Sequence, residues 1–224
     1  MIRFCRVALA LVLVTSVLQN TAAAQDNDWR TIEFETTEVT EADVALSPDG
    51  QWLIFTMAGH LFRLPVEGGT AEQLTFGPYY DSDPVFSPDG NRVAFVSDRD
   101  GSEGNVFVLE LADGQITQVT HEEALGGRPA WSSDGQAIVY LGFGEEFVVR
   151  TRSVLALVRR VSFPAGEPET LSTSPRSFHS VFYLQDGRLA WTIIEPEPGS
   201  RRFLTRIEVM SAEGAVSTLR TVAG

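Results

Sequence analysis

Lysine is absent from this chain: all 17 basic residues are arginine, against 30 Asp and Glu. The formal charge of −13 repels phosphate backbones, which excludes nucleic acid as an expected partner. Those charges are spread along the chain with no acidic tail, as in an ordinary solvated surface. Cysteine occurs once, at Cys5, inside the leader described below. Its removal would leave no disulfide, no thiol nucleophile and no thiolate metal site. Stability must then come from packing alone.

Motifs of catalysis are also missing. His60, His121 and His179 are scattered, with no H-x-H or H-E-x-x-H pair to hold a metal. No Gly-x-Ser-x-Gly elbow supplies a serine nucleophile, and no phosphate-cradling Gly-rich run ends in Lys. No cofactor and no enzymatic activity are expected of this chain. No stretch after residue 24 has helical period.

Residues 1–24 read as a secretory leader. Arg3 and Arg6 precede an apolar run from Val7 to Leu18, and Ala22-Ala23-Ala24 offers a cleavage site before Gln25. The run is about 12 residues, short of the roughly 20 that span a bilayer, so no integral membrane segment should remain after cleavage. A lipoprotein anchor would need a Cys after the run, and Cys5 lies before it. The expected location is periplasmic or secreted. Residues 25–30 follow as a flexible lead.

The remainder, 31–224, is organised by a repeated turn. Ser47-Pro48-Asp49-Gly50 recurs as Ser87-Pro88-Asp89-Gly90, nearly as Ser132-Ser133-Asp134-Gly135, and in degenerate form as Leu184-Gln185-Asp186-Gly187. Pro presets φ, Asp suits the next position, and Gly supplies the positive φ that closes the turn. Apolar runs flank each copy. Phe55, Phe95 and Tyr140 fall five residues after the turn Gly, and Trp191 falls four after. Third and fourth strand-like runs complete each unit. Nearly continuous apolar runs suit strands buried on both faces. A repeat of roughly 40–50 residues with four strands is a propeller blade. The expected fold is all-β: a β-propeller of about four four-stranded blades, near 40–76, 80–120, 127–172 and 178–220. Trp52, Trp131, Tyr140, Tyr183 and Trp191 are expected between blades. Inserted segments near Gly142–Ala156 and at Glu195-Pro196-Glu197-Pro198-Gly199 are expected as loops.

Strand counting suggests an incomplete propeller. Thr31 to Thr36 alternates apolar and polar residues and occupies the place of a fourth strand from an earlier blade. The last unit already owns a fourth strand. A partial propeller is favoured over a closed four-blade ring with the extra strand on an outer edge, since such an open edge is a liability and four blades are at the small end of the range.

Four carboxylates are candidate ligand or ion contacts. Asp81 and Asp83, beside Tyr79 and Tyr80, precede the first strand of the second unit, an end that tends to face the channel. Paired carboxylates there would bind a cation or a basic peptide; a solvated strand entrance is the favoured alternative. Asp98 and Asp100 resemble the start of a calcium loop, but Glu103 stands at its sixth position and Leu109 at its twelfth, which favours a structural turn. Glu122-Glu123 and Glu145-Glu146 are expected to be solvated loop charges.

The stretch Phe86-Ser87-Pro88-Asp89-Gly90-Asn91-Arg92-Val93-Ala94-Phe95-Val96-Ser97-Asp98-Arg99, with Leu46-Ser47-Pro48-Asp49-Gly50, resembles the TolB-type, WD-like propeller repeats of exported bacterial proteins. The resemblance is firm over about 40–124 and looser over 125–224, and implies a protein-binding or scaffold role. A narrower one runs through Thr31-Ile32-Glu33-Phe34, Ala45-Leu46-Ser47-Pro48-Asp49-Gly50, His60-Leu61-Phe62-Arg63-Leu64-Pro65, Gly68-Gly69 and Tyr80-Asp81-Ser82-Asp83-Pro84. These are similar to the N-terminal propeller of secreted amidohydrolases, which implies an accessory role beside a metal-dependent catalytic domain. The repeats also occur in propeller-bearing peptidases. A protein partner or a missing catalytic domain is the partner these resemblances imply.

Overall fold

The structure is a computed structural model that describes residues 42–122, 125–143, 156–174, 178–199 and 201–223. The leader, the lead and the strand expected at 31–36 lie outside the described residues. So does most of the insertion after Gly142.

The aromatic and β-branched runs form four four-stranded antiparallel sheets, each built from strands consecutive in sequence. Blade 1 holds β1 (Val44–Leu46), β2 (Trp52–Met57), β3 (His60–Pro65) and β4 (Glu72–Gln73). Blade 2 holds β5 (Asp81–Phe86), β6 (Arg92–Ser97), β7 (Asn105–Glu110) and β8 (Ile116–Gln118). Blade 3 holds β9 (Leu125–Trp131), β10 (Ala137–Phe143), β11 (Ala156–Ser162) and β12 (Glu169–Ser174). Blade 4 holds β13 (Phe178–Tyr183), β14 (Leu189–Pro196), β15 (Phe203–Met210) and β16 (Val216–Ala223). The Pro-rich segment of the last blade is not a loop throughout. Glu195 and Pro196 extend β14 and pair with Leu204 and Phe203. Pro196 ends the strand, where its missing N–H costs the ladder nothing.

Each blade turns from its first to its second strand through the repeated motif. The Gly amide donates to the carbonyl three residues earlier, Gly50 to Ser47 and Gly90 to Ser87, both at 2.9 Å. The first-position serine does more than the sequence motif suggests. Ser47 Oγ donates to Asp49 Oδ1 at 2.5 Å and accepts the Trp52 amide at 2.9 Å. Ser87 repeats this with Asp89 and Arg92, and Ser132 with Asp134 and Ala137. Blade 4 has Leu184 instead; there Arg188 donates to Asp186 from both its amide and its guanidinium.

These donors hold the turn carboxyls low. The Ser47 and Ser132 hydroxyls depress Asp49 and Asp134, Arg188 depresses Asp186, and the Ser87 hydroxyl, with Asn91 and Arg92, brings Asp89 to about 2. A carboxyl held below its unfolded value adds stability that is complete above that value and is lost as pH falls through the folded one. Unfolding free energy should therefore fall as pH drops from 3.8 toward about 2. Ser87→Ala, which removes the leading donor to Asp89, is expected to flatten this acid slope. Urea midpoints measured across that range check it.

Three buried clusters sit between successive blades. Phe86, Val93, Phe95, Phe107 and Leu109 of blade 2 pack on Ile54 and Leu61 of blade 1. Trp131, Ile138, Tyr140 and Val161 of blade 3 pack on Ala94, Val106 and Val108 of blade 2. Phe178, Leu189, Trp191 and Ile193 of blade 4 pack on Val139, Ala156 and Val158 of blade 3. Each of these interfaces sets an aromatic-containing back face against a front face of mostly small or branched side chains, Trp52 of blade 1 being the exception. Among the described residues no such cluster joins blade 4 to blade 1.

Candidate functional site

Six positions before each turn Asp, on the innermost strand of blades 2 to 4 and immediately before that of blade 1, stand Asp43, Asp83, Arg128 and Ser180. All four line one cavity of about 250 Å³, together with Val44, Pro84, Val85, Pro129 and Val181. Four strands, one from each blade, contribute to it, so this is the mouth of the central channel.

Backbone geometry positions the polar groups. Asp83 and Arg128 have φ of 50° and 58°, the left-handed region that most side chains avoid. The strand pairing slips there, between Ser82 and Val85 in blade 2 and after Val139 on the strand facing blade 3's first strand. The bulge turns each amide toward the preceding blade. Asp43 Oδ2 accepts the Asp83 amide at 3.2 Å, and Asp83 Oδ2 accepts the Arg128 amide at 3.3 Å. The Arg128 guanidinium lies 3.7 Å from Asp83 Oδ1. The first three blades are therefore linked by a carboxylate-to-amide relay that ends at Arg128, which has no carboxylate to offer Ser180. Ser180 instead shares a hydrogen bond of 2.8 Å with Thr192. Burial raises the Asp83 carboxyl above its ordinary value; the Arg128 amide and charge oppose the rise and the Asp43 charge adds to it.

Gly127 makes room for the relay. It has φ of 83°, and a Cβ there would sit 2.6 Å from Asp83 Oδ2. Gly127→Ala is expected to cost about 2–4 kcal/mol, from left-handed strain plus the displaced carboxylate. Chemical denaturation of the variant against Gly142→Ala, where the nearest atom is a flexible Arg159 methylene at 3.4 Å, separates strain and clash from a general loss of glycine.

The other candidate carboxylates lie apart from the channel mouth. Asp81 is within β5 rather than before it. It is buried and pairs with Arg99 at 2.8 Å. The Arg99 guanidinium lies 5.0 to 5.4 Å from the ring centres of Phe95, Phe107 and Tyr79. Asp98 Oδ1 accepts the Tyr80 amide at 2.8 Å. Asp100 accepts from Ser102, Asn105 and Gln118. Desolvation acts against the Asp100 charge, but these donors outweigh it and leave its carboxyl lowered. Asp81 and Asp83 face different arginines, and Asp98 and Asp100 satisfy different loop donors. Among the described residues no three His, Cys, Asp or Glu come together to hold a metal.

One carboxylate departs from its expected environment. Glu122 is not a solvated loop charge: it is half-buried, accepts the Tyr140 hydroxyl at 2.6 Å and pairs with Arg159 at 2.5 Å. Desolvation, with Glu122 beside it, pushes the Tyr140 hydroxyl far up. Glu122 follows β8, so it ties the connection between blades 2 and 3 to β10 and β11. Its neighbour in sequence, another Glu, gave no signal to separate the two roles.

Four sheets of consecutive antiparallel strands, packed face to face in chain order around one channel, define a β-propeller. The family described as Tricorn protease N-terminal beta propeller domain matches residues 39–198, and the chain belongs to it. It is 38% identical over 117 residues to the Tol-Pal system protein TolB of Wolinella succinogenes, covering 47% of this chain and 27% of that protein. It is 33% identical over 88 residues to the uncharacterized peptidase YuxL of Bacillus subtilis, covering 38% of this chain and 13% of the peptidase. The crystal structure of TolB from Acinetobacter baumannii shares the fold with a TM-score of 0.59 at 20% identity, over 79% of this chain and 42% of that one. The chain spans between 13% and 42% of the length of these proteins. It is a TolB-type propeller.

Proposed function

We propose that the chain is a non-catalytic, exported propeller that binds protein. The observation that carries this reading is the channel mouth. Asp43, Asp83 and Arg128 present mixed charge on a rigid rim, with the carboxylates fixed by backbone amides. That arrangement suits polar recognition of a peptide segment, and it holds no nucleophile paired with a base. The kinship with TolB supports a scaffold role, and the leader-like residues 1–24 support a periplasmic or secreted location.

The test is affinity capture from an envelope fraction with the wild-type chain, Asp83→Asn and Arg128→Glu, read by mass spectrometry. One partner enriched by the wild type and lost with both variants is the expected result. Enrichment indifferent to both substitutions would remove the channel mouth from the reading. Turnover of ester or amide substrates by the purified chain, with or without zinc, would overturn the non-catalytic assignment.

A second reading rests on the stretch from Thr31 to Pro84 that resembles amidohydrolase propellers, and on kinship with a protein named as a peptidase. On that reading the propeller is an accessory to a hydrolase domain. A reading frame continuing past Gly224 into clustered His and Asp codons would favour it.

A further inference from the structure

The seam between two neighbouring blades has a second end, beside the repeated turns, at the opposite end of the innermost strands from the channel mouth. Between blades 2 and 3 an arginine occupies it. The Arg92 guanidinium lies 5.3 Å from the Trp131 ring centre and 5.0 Å from that of Phe163, and it reaches Asp89 at 3.2 Å. Between blades 3 and 4, Arg160 and Tyr183 line a cavity of about 170 Å³, and the arginine charge acts on the tyrosine hydroxyl. Between blades 1 and 2 the cavity is larger, about 450 Å³. Phe86 and Leu111 wall it in the places of Trp131 and Phe163, and Asp49 stands in the place of Asp89. Trp52 holds the position of Arg92, so no cation comes from there. Arg63, the counterpart of Arg160, lies over Trp52 at 4.6 Å and pairs with Glu72 at 2.6 Å. Glu110 adds a second carboxylate to the wall. Among the described residues neither Asp49 nor Glu110 has an ion-pair partner.

We propose that the cavity between blades 1 and 2 takes an arginine side chain presented by a partner protein. Arg92 shows the geometry within the chain: a guanidinium against the aromatic wall of the following blade, held by the turn carboxylate of its own. At the first seam Phe86 and Asp49 provide both halves of that arrangement, and Trp52 takes away the side chain that would fill it. A planar guanidinium can stack on an aromatic ring and still donate to a carboxylate in its plane, which a compact ammonium does less well. Asp49 and Glu110, from two blades, can share its donors through charge-assisted hydrogen bonds. Arg63 does not compete for the place, since its guanidinium is engaged by Trp52 and Glu72.

Titration of the full chain with acetyl-Gly-Arg-Gly-amide, followed by NMR, tests this. The Trp52 indole and Asn91 amide signals are expected to shift saturably, with a Kd on the order of 1 mM. The matching citrulline peptide keeps the shape and loses the charge, and should bind at least about tenfold more weakly. Glu110→Gln should weaken binding by about threefold with an unchanged β-sheet spectrum. Trp52→Arg, which gives the seam its own cation as Arg92 does, should abolish binding. Asp83→Asn, at the other end of the strands, should leave binding unchanged, which separates this site from the channel mouth. Equal binding of the two peptides, no saturable shift, or undiminished binding by Glu110→Gln or Trp52→Arg would each overturn the proposal. So would shifts confined to Asp83 and Arg128.

Discussion

Trp191→Ala is expected to lower the unfolding free energy by about 3–5 kcal/mol, the range for emptying a fully buried tryptophan site. Trp191 is completely buried in the cluster between blades 3 and 4. Its ring meets Phe178 edge-on, with centroids 6.4 Å apart, and its Nε1 donates to Glu208 Oε2 at 2.9 Å. Alanine would open a cavity against Val139 and Val158, which belong to strands fixed in blade 3 and cannot collapse into it. Among the described residues Glu208 would keep Arg206, at 2.9 Å. Trp191→Phe retains most of the apolar contact and loses the donor, so a cost of about 1–2 kcal/mol is expected. Urea unfolding followed by circular dichroism checks both. A loss below about 1 kcal/mol for the alanine variant would mean that blade 4 is not held through this interface.

Asp81→Ala has the second large expected effect, about 3–5 kcal/mol. Asp81 has no side-chain exposure and Arg99 only 14%, and they are 2.8 Å apart. Removing the carboxylate leaves the guanidinium held among Phe95, Phe107 and Tyr79 without its counter-charge. A lone buried charge is far costlier than a missing pair. The double variant Asp81→Ala with Arg99→Leu should therefore recover much of the loss, and a double-mutant cycle on denaturation midpoints measures that coupling. If the double variant is as unstable as the sum of the two single ones, the pair is not coupled and Arg99 is held by the aromatic contacts and by Ser97, whose Oγ accepts its Nε at 2.9 Å.

The blades themselves were readable because the turn repeats with its neighbours in step. Five residues after the turn Gly of the first three copies, and four after that of the last, an aromatic recurs, and Phe95, Tyr140 and Trp191 are buried between sheets. The same step fails to expose the channel mouth. The sequence marks Asp83 as a channel-facing candidate but not Asp43, Arg128 or Ser180: the four equivalent positions hold two Asp, an Arg and a Ser, so alignment by residue type does not mark them as one set. Their role follows from a bulge, and a bulge depends on backbone dihedrals that an Asp or an Arg does not announce. Gly127 is similarly silent: its need for a bare Cα comes from a carboxylate 44 positions earlier in the chain. The turn serines were visible as part of the motif, yet Pro, Asp and Gly explained the turn without them. Only the distances show Ser47 and Ser87 bridging the Asp to the strand that follows. Glu122 was misjudged because a charge between two strands is usually solvated, and here Arg159 and Tyr140 fold over it.

Among the described residues every strand pairs within its own blade, and every buried cluster joins blades adjacent in sequence. Stability is then distributed as in a linear array, where each unit depends on its immediate neighbours. Among the described residues, blades 2 and 3 are clamped on both sides and blades 1 and 4 on one. Local opening should accordingly begin at the ends and move inward, with the amides of β6 and β10 the last to exchange with solvent. Blade 1, with its short β1 and two-residue β4, is the unit that can unravel while the other three stay folded.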